Sequence, residues 1–87
     1  MSGNTFYEGG KRERLIAAAR DVIYRQGYGP TTLAHVAEAS GVPLGNVYYY
    51  FKTKDALVEA VIETRLEQVR SQLEAAERRA HAAARIA

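Results

Sequence analysis

Apolar residues recur at spacings of three and four along most of the chain, and glycine, proline and hydroxyl residues punctuate them. Between Lys11 and Gln26, residues Leu15, Ala19, Val22 and Ile23 fall on one helical face, and Ile16 widens it. Gly27 reads as the stop, and Gly29-Pro30 prevents resumption. Tyr28, between the two glycines, is expected to tuck under the domain. Thr31-Thr32 opens a second helix, because a threonine hydroxyl can satisfy the first free backbone N–H groups. Its apolar stripe is Leu33, Val36 and Ala37, and Ser40-Gly41 closes it. A helix of about two turns does not persist without packing partners.

Val42-Pro43 restarts the chain, and proline suits a first helical position, where its missing N–H costs nothing. A third helix is predicted from about Leu44 to Tyr50, with Val47 and Phe51 inward, Asn46 and Tyr49 elsewhere, and Tyr50 at the boundary. Thr53 is a suitable cap for a fourth helix beginning with Lys54 and Asp55. From there to Ile86 no glycine or proline occurs, and strong helix formers dominate. The segment from Ala75 to Ala87 reads either as frayed helix or as disorder. Ile62, Leu66, Val69, Leu73 and Ala76 continue an apolar stripe. That stripe suits a short helix–helix seam, or, on the plainer reading, a face that packs on a further domain. No strand pattern and no internal repeat is visible.

Composition narrows the class. With 87 residues the chain holds one domain. It has no cysteine, which fits a reducing cytoplasm and excludes thiolate metal sites. No apolar run approaches the roughly 20 residues that span a bilayer. Residues 1–10 are polar and glycine-rich, read as a flexible arm, and lack the apolar core of a secretion signal. The formal net charge of +2 is unevenly distributed. Residues 1–54 carry seven basic and four acidic side chains, and residues 55–87 carry five and six. A basic first half suggests an anionic partner.

Two short helices around a tight glycine turn make a helix-turn-helix, whose second helix enters the major groove of DNA. Gly41 can take the left-handed conformation that the turn needs, Ala37 lets the helices approach, and Val42 and Val47 anchor the reader helix from below. The run from Thr31 through Ser40-Gly41-Val42, followed by Gly45-Asn46-Val47-Tyr48-Tyr49-Tyr50-Phe51-Lys52-Thr53-Lys54-Asp55-Ala56-Leu57, closely resembles the TetR family of transcriptional regulators. The resemblance extends back through Ala17-Ala18-Ala19-Arg20 and Gln26-Gly27-Tyr28, and covers roughly Lys11 to Arg65. It implies an all-α, homeodomain-like fold: a helix-turn-helix domain over residues 11–71, with the motif at about 32–51, and a long fourth helix. Residues 72–87 are then a helical stub of a ligand-binding and dimerisation domain that is expected to follow. The family also implies a homodimer that usually represses transcription, binds double-stranded DNA at a palindromic operator, and responds to a small-molecule effector through that second domain. On this reading the chain by itself is a monomer or a weak self-associator.

Site residues carry over by position. Thr32 matches a position that often contacts phosphate, and Leu44, Gly45 and Asn46 match the reader turn. Tyr48, Tyr49 and Tyr50 match a stretch that touches the DNA backbone, and Lys54 matches a lysine that pairs with phosphate. Many relatives have serine or threonine where Pro43 stands, and a proline supplies no capping hydroxyl. Each candidate also has a plainer role. Three consecutive tyrosines span about 200 degrees of a helix, so all three cannot be core. Lys52 and Lys54 can be solvated, although lysine at a helix N-terminus opposes the helix dipole and a phosphate would offset that cost. Asn46 can bond locally or pair with adenine, and Leu44 can pack back or touch a thymine methyl. Arg12 and Arg14 are either solvated or part of a DNA-contacting arm. His35 is a surface or packing residue, and neither it nor His81 belongs to a metal-binding spacing. No cofactor is expected. A helix-mediated protein-interaction module would explain the fourth helix but not the tyrosine-rich reader, and no nucleophile–base pair or phosphate loop supports an enzyme.

Overall fold

A computed structural model describes residues 9–86, and most of the segment read as a flexible arm lies outside the described residues. Four helices follow one another: α1 (Lys11–Gln26), α2 (Leu33–Ser40), α3 (Leu44–Tyr50) and α4 (Lys54–Ile86). No strand occurs among the described residues. The chain is all-α, as the periodicity predicts. Helix α1 packs on both α2 and α4, and α3 packs on α2.

The core is small and made largely from the predicted positions. Leu15, Ile16, Ala18 and Ala19 of α1 meet Leu33, Val36 and Ala37 of α2, with Val42, Val47, Phe51, Leu57 and Ala60 closing the cluster. Burying a leucine such as Leu57 contributes about 1.5–3 kcal/mol relative to leaving it exposed. Ile23, expected on the same face as Leu15, is only half-buried.

Local chemistry sets the boundaries. Helix α1 ends at Gly27, whose φ of 89° suits a residue without a Cβ. Thr32 caps α2, its Oγ accepting from the His35 backbone N–H at 3.1 Å. Gly41 ends α2 in the left-handed region, at φ 76°. Ser40 stitches the turn from inside: its buried hydroxyl donates to the Ala37 carbonyl at 3.1 Å and accepts from the Val42 N–H at 3.2 Å. Thr53 caps α4, accepting from the Ala56 N–H at 3.0 Å.

Two expectations change and one open alternative is decided. Pro43 stands just before α3 rather than as its first residue, because its extended backbone (φ −58°, ψ 144°) aims its carbonyl into the helix. That carbonyl accepts from the N–H groups of Asn46 and Val47 at 2.9 and 3.1 Å. Tyr28 does not tuck under the domain. It is 45% exposed, since the turn after Gly27 carries it to the surface beside α4. The stretch beyond Ala75, left open between frayed helix and disorder, continues α4 to Ile86. Uninterrupted strong helix formers account for this.

Candidate nucleic-acid interface

Helix α3 has seven residues and depends on anchors beneath it. Val47 is fully buried within it, and Phe51 is buried just beyond its end, the Phe51 N–H donating to the Val47 carbonyl at 2.8 Å. With that side fixed, the opposite side is presented outward. Tyr49 is 74% exposed, Tyr48 46% and Leu44 40%. Gly45 and Tyr50 are exposed, and Asn46 is half-buried at the edge of the same surface. All three tyrosines reach solvent, which goes beyond the requirement of the helical geometry that they not all be core. Tyr50 braces Tyr49 edge to face, with ring centres 5.0 Å apart.

Thr32 is exposed at the start of α2, where it forms a reciprocal cap. While its hydroxyl serves the His35 N–H, the His35 Nδ1 accepts from the Thr32 N–H at 3.2 Å. Gln26 Nε2 lies 3.3 Å from the same Nδ1 and 3.4 Å from Thr31 Oγ, tying the end of α1 to the start of α2. Thr31 in turn donates to the Gly27 carbonyl at 2.7 Å. His35 is therefore part of the scaffold that presents Thr32. The sequence signal is its position three residues after the capping threonine, where glutamate or glutamine normally completes the box.

Both candidate lysines have intramolecular partners. Lys52 donates to the Tyr48 carbonyl at 2.8 Å, satisfying the open end of α3. Lys54 donates to the carbonyls of Tyr28 and Gly29 at 2.9 and 3.3 Å, and its ammonium sits 3.9 Å from the centre of the Tyr28 ring. Tyr28 donates its hydroxyl to Asp55. That bond, followed by burial and the Asp55 charge, raises the tyrosine pKa above its ordinary 10.0. Sequence reasoning missed the pairing of Tyr28 with Lys54 and Asp55, because separations of 26 and 27 residues carry no local pattern. The guanidinium of Arg12 lies over the Phe51 ring at 5.4 Å, so α1 also braces the end of the reader helix. No group of three or more metal-ligating residues occurs among the described residues.

A capped two-turn helix, a left-handed glycine turn and a short helix anchored on one side together define a helix-turn-helix DNA-binding unit. The family profile described as "Bacterial regulatory proteins, tetR family" matches residues 15–61. The chain belongs to that family. It is 40% identical over 53 residues to the HTH-type transcriptional regulator TtgR of Pseudomonas putida, covering 61% of this chain and 25% of that protein. It is 37% identical over 60 residues to the regulator BetI of Klebsiella pneumoniae, covering 69% and 31%. The regulator RutR of Escherichia coli is 37% identical over 57 residues, covering 66% and 27%. The matched segments make up about a quarter to a third of these relatives' lengths. Among the described residues no helix is long and apolar enough to cross a membrane.

Proposed function

We propose that this chain reads a specific double-stranded DNA sequence by placing α3 in the major groove. Leu44, Gly45 and Asn46 then meet base edges, while Thr32, Tyr48, Tyr49, Tyr50 and Lys52 meet the phosphate backbone. Lys54 borders the same region, with its ammonium already engaged by the α1–α2 turn. The observation that carries this reading is the one-sided anchoring of α3: Val47 is 0% exposed, whereas Tyr49 on the same helix is 74% exposed. An outward surface of tyrosine, asparagine and glycine suits backbone contact and base hydrogen bonding better than it suits a dry protein interface.

In a regulator of the relatives' length, residues 11–71 form the DNA-binding domain and residues 72–87 lead into a dimerisation and effector domain. Two reader helices about 34 Å apart then engage a palindromic operator in the cytoplasm. Release by a small molecule, with repression as the outcome, completes this proposal. Selection of bound duplexes from random DNA tests the reading. An enriched half-site is expected, and Asn46→Ala should cost roughly 1–3 kcal/mol on it while relaxing one base position. Failure to enrich any sequence would sink the assignment. Unchanged base preference in Asn46→Ala would make Asn46 structural.

A further inference from the structure

The segment between Tyr28 and Lys54 encloses α2, the glycine turn and α3 in full. Neither short helix holds itself together, and α3 reaches the body of the protein chiefly through α2 and the buried Val47 and Phe51. The two ends of this segment are tied to each other. Lys54 binds the carbonyls of Tyr28 and Gly29 and covers the Tyr28 ring, while Tyr28 reaches across to Asp55. The tie also resolves an electrostatic mismatch. A lysine at a helix N-terminus opposes the dipole, and two carbonyl oxygens and an aromatic face offset that cost without any phosphate. Asp55 next to it complements the dipole.

We propose that Lys54, Tyr28 and Asp55 form a latch that closes the helix-turn-helix segment, with Lys54 as a positioning residue for the reader helix. The role rests on the DNA-binding reading above, but the latch itself is a property of the free protein. Closing both ends of a segment reduces the open conformations of the two short helices between them. Lys54 then acts on DNA at least in part through the placement of α3, while its carbonyl partners leave the ammonium charge in place.

Amide hydrogen exchange and DNA titration across salt concentrations separate the alternatives. Lys54→Met keeps the aliphatic stem and removes the ammonium. Tyr28→Phe keeps the ring and removes the hydroxyl. Tyr28→Phe should speed exchange in α2 and α3 by about three- to tenfold, the effect of one lost hydrogen bond, and Lys54→Met, which loses two, by at least as much. Lys54→Arg should restore slow exchange, since a guanidinium can bond carbonyls and stack on a ring. DNA affinity of Lys54→Met should fall, and Tyr28→Phe, which leaves the ammonium in place, should lower affinity with the slope of log affinity against log salt unchanged. Parent-like exchange in Lys54→Met would overturn the latch. With a slope reduced by roughly 1, that result would make Lys54 a phosphate ligand. If the unaltered chain selects no duplex, the DNA-binding reading fails, and the exchange comparison still decides the latch.

Discussion

Leu57 and Leu73 lie on the same helix, yet one is 1% exposed and the other 62%. The near end of α4 completes the core with Leu57 and Ala60, while Ile62, Leu66 and Leu73 face solvent along a stripe of the same spacing. Helix α4 has 33 residues, about 50 Å at 1.5 Å each, and the molecule is 56 Å long. Its far half therefore extends beyond the three-helix head. There, order rests on helix propensity and local pairs such as Arg70–Glu67 at 3.0 Å. In the head the balance reverses: α2 and α3 are too short for propensity to hold them, and buried contacts, caps and the glycine turn do so. Identical residue types thus have opposite roles in the two regions.

The strongest way to break this comparison is to cut the same side chain in both. Leu57→Ala should destabilise the protein by about 2–5 kcal/mol, through lost burial and the cavity left behind. Leu73→Ala should change stability by less than about 0.5 kcal/mol. Denaturant titration reads both. Equal losses would mean that the distal stripe is buried in solution. Caps provide a gentler contrast. Thr32→Ala removes the cap of an eight-residue helix and should cost about 0.5–2 kcal/mol, with weaker DNA binding. Thr53→Ala removes a similar bond from the much longer α4 and should fall at the low end of that range. Indistinguishable losses would show that helix length does not set cap dependence here.

The smallest effect concerns pH. Because Asp55 accepts its hydroxyl, Tyr28 holds its proton more tightly in the folded state than in the unfolded chain. Its contribution is fully present below the ordinary tyrosine value of 10.0 and is lost as pH rises through the higher folded value. Above that point a phenolate faces the Asp55 carboxylate. Thermal melts of the parent and Tyr28→Phe should converge as pH rises past 10.0 and through the higher folded value. A constant gap across that range would show that the hydroxyl adds nothing that titrates.

Much of this was legible in the sequence by itself, and the reason is locality. Caps at Thr32 and Thr53, the left-handed turn at Gly41, and the inward Val47 and Phe51 all follow from residue type and a spacing of a few positions. So does the exposure of at least one of the three tyrosines, since consecutive positions span about 200 degrees of a helix, whereas the exposure of all three shows only in the fold. Tertiary structure alone decided the remainder. Tyr28 was expected underneath the domain and instead lies on its surface, because its partners arrive on α4 from the far end of the helix-turn-helix. Lys54 reads as a bare cation until the fold brings two carbonyls and a ring to it. The half-burial of Ile23 and the exposure of Leu73 likewise depend on which surfaces another element reaches. Periodicity specifies which face of a helix is apolar, whereas burial requires a second surface, and only the path of the whole chain supplies that.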